Sequence, residues 1–169
     1  MAKIALGQFT AQNDRDYNLG RVTDHIAEAG RRGVDVVCFH EIANTIYCCF
    51  RNDEAFRQLA EPEDGVSVTR VRAAAAEAGI AVVYPFYEST DNGQKLYNTA
   101  VMIDSEGTIV GKYRKMSIPQ ILRTVTEDET PADERFYFLP GDLGFPVFDV
   151  AGLKIGIMIC YDRHFPEAA

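Results

Sequence analysis

The chain has 169 residues, of which 47% are hydrophobic and 25% charged, which suits one folded domain with a substantial core and argues against disorder. A formal net charge of −8 and no run of Lys or Arg longer than two exclude the basic face that nucleic acid or an anionic membrane surface requires. The opening segment MAKIALGQFTAQND lacks the layout of a signal peptide and no apolar run is long enough to span a bilayer, so a cytoplasmic protein with reduced thiols is the expectation.

Lys3 to Thr10 alternates as a first strand, and Asn13-Asp14 supplies an N-cap for an amphipathic helix with Leu19, Val22, Ile26 and Ala29 on one stripe and Gly33 at its stop. Asp35 to Phe39 (DVVCF) is a short, nearly continuous apolar strand of the kind covered on both faces. Ser67 is placed to cap a second, alanine-rich helix that Gly79 ends. Ile80 to Tyr87 then reads as a strand, Asp91-Asn92-Gly93 as a turn, Leu96 to Ile103 as a strand, Asp104 to Gly107 as a turn and Thr108 to Arg114 as a strand. The pattern is β-α-β-α-β-β-β. From Met116 to Pro140 the periodicity fades into the charged stretch TEDETPADER, read as an active-site loop. Phe145 to Val150 and Lys154 to Ile159 form a hairpin about Ala151-Gly152, and its second strand, KIGIMIC, is expected to be buried and to deliver Cys160 to the start of a helix at Phe165-Pro166-Glu167.

Four cysteines, Cys38, Cys48, Cys49 and Cys160, follow neither a disulfide scaffold nor the paired C-x2-C spacing of zinc sites. Cys160 stands where a strand meets a helix start, a turn that can hold a nucleophile, although a core cysteine also fits there. Glu41 follows the DVVCF strand and Lys115 ends the TIVGKYRK strand; singly these read equally well as a solvated loop acid and as part of an exposed basic edge with Lys112 and Arg114. Jointly they form a chemical set. A thiol near its free pKa of about 8.5 is mostly protonated at neutral pH, so it needs a base, and attack on a carbonyl creates an oxyanion that needs a cation. A Cys-His pair using His164 or His40 is the weaker alternative, because His164 shares the cysteine's own turn and His40 adjoins the better-placed Glu41.

The segments FHEIANTIY, GKYRKMSIP and GIMICYDRHFPEAA resemble the glutamate, lysine and cysteine motifs of the nitrilase superfamily, in that family's order and across essentially the whole chain. The resemblance implies an α-β-β-α sandwich, of which this chain is the N-terminal part only, one carbon-nitrogen hydrolase domain over residues 1–169 that is incomplete at its C-terminus. It implies Cys160 as nucleophile, Glu41 as base, Lys115 as oxyanion stabiliser and Glu134 as a second, assisting glutamate, with no metal and no organic cofactor. Glu134 also reads as one acid among many in TEDETPADER. The block FLPGDLGFPVF looks most like N-carbamoyl-amino-acid amidohydrolases, and Arg163 then becomes a candidate for binding a substrate carboxylate, against a plain surface arginine. Ser117 stands where many relatives carry histidine. The expected partners are a small-molecule substrate and further copies of the chain in a homo-oligomer. Because the missing half would cover one apolar face, the competing expectation is a catalytically silent truncated chain that associates with itself or with a full-length relative.

Overall fold

The computed structural model describes residues 1–120 and 133–169. A five-stranded sheet runs β1 (Ile4–Gly7), β2 (Val36–Phe39), β3 (Ala81–Thr90), β4 (Lys95–Ile103) and β5 (Ile109–Arg114) in spatial as well as sequence order. β1, β2 and β3 are parallel, because helical crossovers join them. β3, β4 and β5 are antiparallel, because two tight turns do. The first turn carries Asp91, Asn92 and Gly93 at positive φ; in the second, Asp104 Oδ1 accepts the N–H groups of Glu106 and Thr108 while Gly107 supplies φ +79°.

Both crossover helices lie on one face of the sheet. α1 (Arg15–Arg31) starts where Asp14 accepts the N–H of Tyr17 at 3.0 Å, and it buries Leu19, Val22, Ile26 and Ala29 as its periodicity predicts. α2 (Val66–Ala78) buries Val68, Val71 and Ala75 and ends at Gly79 in the left-handed region, φ +65°. Its start corrects the expectation for Ser67. The N-cap position is Gly65, and Ser67 lies inside the first turn with its N–H donated to the buried carboxylate of Glu61. Glu61 therefore does from a distance what a capping side chain does locally. The two helices and the Val37, Phe39, Val82, Tyr84, Phe86, Val101 and Ile103 side of the sheet form one core.

The opposite face, with Val36, Ala81, Val83, Ala100, Met102 and Tyr113, is covered by a separate two-stranded ribbon, β6 (Val147–Val150) and β7 (Leu153–Gly156). The layers are thus helix, sheet and sheet, the first three of the α-β-β-α sandwich. The ribbon corrects two expectations. β7 stops at Gly156 and is alternately covered and open, so KIGIMIC is not one buried strand, and Cys160 opens a 3₁₀ turn (Cys160–His164) with no α-helix behind it. A short 3₁₀ turn, Pro166–Ala168, takes the place of the expected helix start. On the same side Ile4, Leu6, Val147 and Met158 are exposed, in keeping with the expectation that one apolar face lies open. Within the charged stretch, residues 126–132 lie outside the described residues, and Glu134–Phe136 is a 3₁₀ turn.

The ribbon sits close because Gly111 has no side chain: a Cβ there would lie 2.2 Å from Cε1 of Phe148. Gly111→Val is expected to lower unfolding stability by about 1–3 kcal/mol through overpacking. Gly20→Ala, inside α1 with open space around it, should raise stability by about 0.5–1 kcal/mol. Urea unfolding of the two variants beside the parent chain checks both signs.

Candidate active site

Three separate stretches of chain converge beside the end of β5. Glu41 lies two residues past β2, Lys115 is the first residue after β5, and Glu134 opens the 3₁₀ turn at the end of the charged stretch. Lys115 is 1% exposed, and its ammonium donates to Glu41 Oε1 at 2.8 Å and to Glu134 Oε2 at 2.6 Å. Burial works to lower the lysine pKa, but the two carboxylates outweigh it and hold the group above its ordinary value, so it is a cation throughout the neutral range. The alternative of an exposed basic edge holds for neither neighbour: Lys112 and Arg114 are both engaged by the buried carboxylate of Glu88.

Glu134 is 3% exposed, and burial raises its pKa while Lys115 and the phenol of Tyr47, which donates to Oε1 at 2.7 Å, pull it back. Glu41 accepts a further hydrogen bond at Oε1 from Asn98 Nδ2 at 2.7 Å. Cys160 completes the group, since its sulfur and one oxygen from each of Glu41 and Glu134 lie within 4.8 Å of one another. Burial, and then the Glu41 carboxylate, push the thiol pKa up against the pull of Lys115, so at neutral pH the thiol keeps its proton beside a base able to take it. These three donors could ligate a metal ion, but the Lys115 ammonium already bonds both carboxylates and would repel a second cation there.

The turn that presents Cys160 is strained, with φ +49° at a non-glycine residue. Asp162, fully buried, holds it in place. Its Oδ2 accepts the N–H of Ile159 at 3.0 Å and the hydroxyl of Tyr113 at 2.7 Å, and its Oδ1 accepts the N–H of Ser117 at 2.8 Å. One carboxylate thereby ties the cysteine turn to β5 and to the segment just beyond Lys115. Beside this tie an open cleft of about 760 Å³ is lined by Ser117, Ile118, Arg135, Phe138, Tyr161 and Phe165. It adjoins Lys115 through Met116 and Ser117, and Cys160 through Tyr161.

The structure thus brings together Glu41, Lys115, Glu134 and Cys160. It does not bring Arg163 to them: Arg163 is exposed on the cysteine turn, with no hydrogen bond or ion pair among the described residues. His40 turns its ring onto Phe9, and His164 packs beside Tyr161, so neither is bonded to the thiol. Sequence reading missed Tyr47, Asn98 and Asp162. Tyr47 and Asp162 stand inside quoted motif segments, and Asn98 sits mid-strand; the bonds that place them are made to residues distant in the chain or fixed by the cysteine turn.

A sequence model of carbon-nitrogen hydrolases matches residues 3–169. The chain belongs to the carbon-nitrogen hydrolase family. It is 34% identical over 170 residues to an N-carbamoylputrescine amidase of Solanum tuberosum, covering 100% of this chain and 53% of that protein. It is also 34% identical over 142 residues to a beta-ureidopropionase of Arabidopsis thaliana, covering 83% of this chain and 33% of that protein. A variant of the amidase from Nesterenkonia sp. AN1 shares its fold with a TM-score of 0.81 at 25% identity, over 99% of this chain and 58% of that one, and carries the acetamide moiety of fluoroacetamide covalently added at its active-site cysteine. The chain therefore spans about half the length of the first of these relatives, and less of the second.

In this carbon-nitrogen hydrolase chain the buried cation should dominate local stability. Lys115→Met leaves two carboxylates facing each other without a counter-charge and is expected to cost about 3–5 kcal/mol in urea unfolding. Adding Glu134→Gln should recover part of that loss. Because the folded pKa of Lys115 lies above its unfolded value, its stabilisation is fully present at neutral pH and is lost only as pH rises through the folded lysine pKa.

Proposed function

We propose that this chain carries the catalytic face of a cysteine-dependent amidohydrolase that cleaves a non-peptide C–N bond in an N-carbamoyl amino acid or a related ureido or amide compound. The observation that carries the reading is the Cys160 sulfur within 4.8 Å of an oxygen on each of two carboxylates that share one buried ammonium. Glu41 accepts the thiol proton as Sγ attacks the carbonyl carbon. The tetrahedral oxyanion is stabilised by the Lys115 ammonium and by backbone N–H groups that follow Cys160. As the C–N bond breaks, the proton held on Glu41 goes to the departing nitrogen, leaving an acyl or carbamoyl group on sulfur. Water, deprotonated by Glu41 with Glu134 assisting, then releases that group; from a carbamoyl group it leaves as carbamate, which decomposes to carbon dioxide and ammonia.

Two of the similar proteins are named for carbamoyl or ureido substrates, and the third bears a covalent adduct at its cysteine, which supports the class of substrate and the nucleophile. The finer reading assigns the exposed Arg163 to a substrate carboxylate, which its planar guanidinium pairs with at two points. A second reading, a catalytically silent chain that associates with itself or a longer relative, is favoured by Leu6 at 81%, Ile4 at 62% and Val147 at 61% exposure.

Ammonia release from a panel of N-carbamoyl amino acids, ureas and simple amides separates these readings. The enzyme reading expects release that falls at least about 10³-fold in Cys160→Ala. In Arg163→Ala, KM should rise for carboxylated substrates and stay unchanged for neutral amides. Release that survives Cys160→Ala contradicts the mechanism, and no release from any substrate by the parent chain favours the silent one.

A further inference from the structure

Asn98 lies in the middle of β4, fully buried, on the sheet face that the ribbon covers. An amide is a costly choice for such a position, where β4 otherwise presents Ala100 and Met102. Its Oδ1 is buried with no hydrogen-bond partner, while its Nδ2 donates to Glu41 Oε1 at 2.7 Å. The side chain is thus held by its bond to Glu41, and no other hydrogen bond holds it among the described residues. Its main-chain carbonyl accepts the N–H of Lys115 at 2.8 Å. One residue therefore touches both the acid and the cation of the site.

The two donors to Glu41, Asn98 Nδ2 and Lys115 Nζ, converge on the same oxygen, Oε1. Neither of these donors reaches Oε2, and the Cys160 thiol interacts with the same carboxylate. We propose that Asn98 is the positioning residue of the base: by saturating Oε1 together with Lys115, it turns Glu41 so that Oε2 is the oxygen that takes the Cys160 proton. The inference rests on Glu41 acting as the base.

The titratable groups around Glu41 are Lys115, Glu134, Cys160, Tyr47 and Cys49, with His40 adjoining it in the chain and turned onto Phe9. Asn98→Leu keeps the buried volume and leaves all of them in place, so what it removes is the donated hydrogen bond. A residue of purely structural value would alter stability and act alike with and without the Glu41 carboxylate.

The test is the rate at which iodoacetamide alkylates Cys160, read by mass spectrometry of the cysteine peptide, in the parent chain, Asn98→Leu, Glu41→Gln and the double variant. Asn98→Leu is expected to slow alkylation about 10-fold, and to slow it no further once Glu41→Gln is present. Where Asn98→Leu fails to fold, Glu41→Gln decides by NMR: the Asn98 side-chain amide signals are expected to move when their acceptor is changed. An unchanged rate in folded Asn98→Leu, the same slowing with and without Glu41, or Asn98 amide signals indifferent to Glu41→Gln overturns the proposal. None of these readouts requires turnover, so absence of hydrolysis would count against the proposed function without touching this assignment.

Discussion

The site depends on one charge held out of water. A lysine ammonium so enclosed is tolerable only when acceptors replace its lost hydration, and Lys115 has Glu41 and Glu134 at 2.8 and 2.6 Å. The converse also holds, since Glu134 is itself buried and would take up a proton without the cation. The pair of acids and the lysine are therefore one electrostatic unit, and each member fixes the position of the others. Cys160 lies against this unit with its proton retained, which suits a nucleophile that is released only as it attacks.

The fold serves that unit by bringing distant stretches to one place. The parallel strands β1 to β3 deliver Glu41 at the C-terminal end of β2, where α/β sheets gather ligands. The antiparallel return through β4 and β5 brings Lys115 to the same end, and the carbonyl of Asn98 on β4 fixes its backbone. The cysteine comes from outside this sheet altogether, four residues past the ribbon, and Asp162 ties its strained turn to Tyr113 on β5 and to Ser117 just past Lys115. Asp162 thus couples the ribbon to the sheet within a few residues of the chemistry.

Much of this was legible in the sequence. α1 and its Asp14 cap, the Gly79 stop, the two tight turns and the order of the first seven elements follow from local pattern. Glu41, Lys115 and Cys160 were legible because each sits in a motif segment, and Glu134 only through the family resemblance, since locally it is one acid among many in TEDETPADER. What escaped reading was set by tertiary contact. Ser67 looks like a cap, yet the carboxylate that serves the helix is Glu61, six residues earlier. KIGIMIC has the composition of a buried strand, but its place on a two-stranded ribbon leaves alternate residues open. Asn98 and Tyr47 make their decisive bonds to residues 57 and 87 positions away, a separation over which no local pattern carries information.

The central claim is that the Cys160 thiol, set beside the Glu41–Lys115–Glu134 unit, becomes covalently acylated by a ureido or amide substrate. The most direct measurement is mass spectrometry of the acid-quenched chain after mixing with an N-carbamoyl amino acid, followed by peptide mapping. The account predicts a transient acyl or carbamoyl adduct on the peptide that holds Cys160, and none on the peptides that hold Cys38, Cys48 or Cys49. An adduct confined to another cysteine, or turnover with Cys160 unmodified throughout, would contradict it.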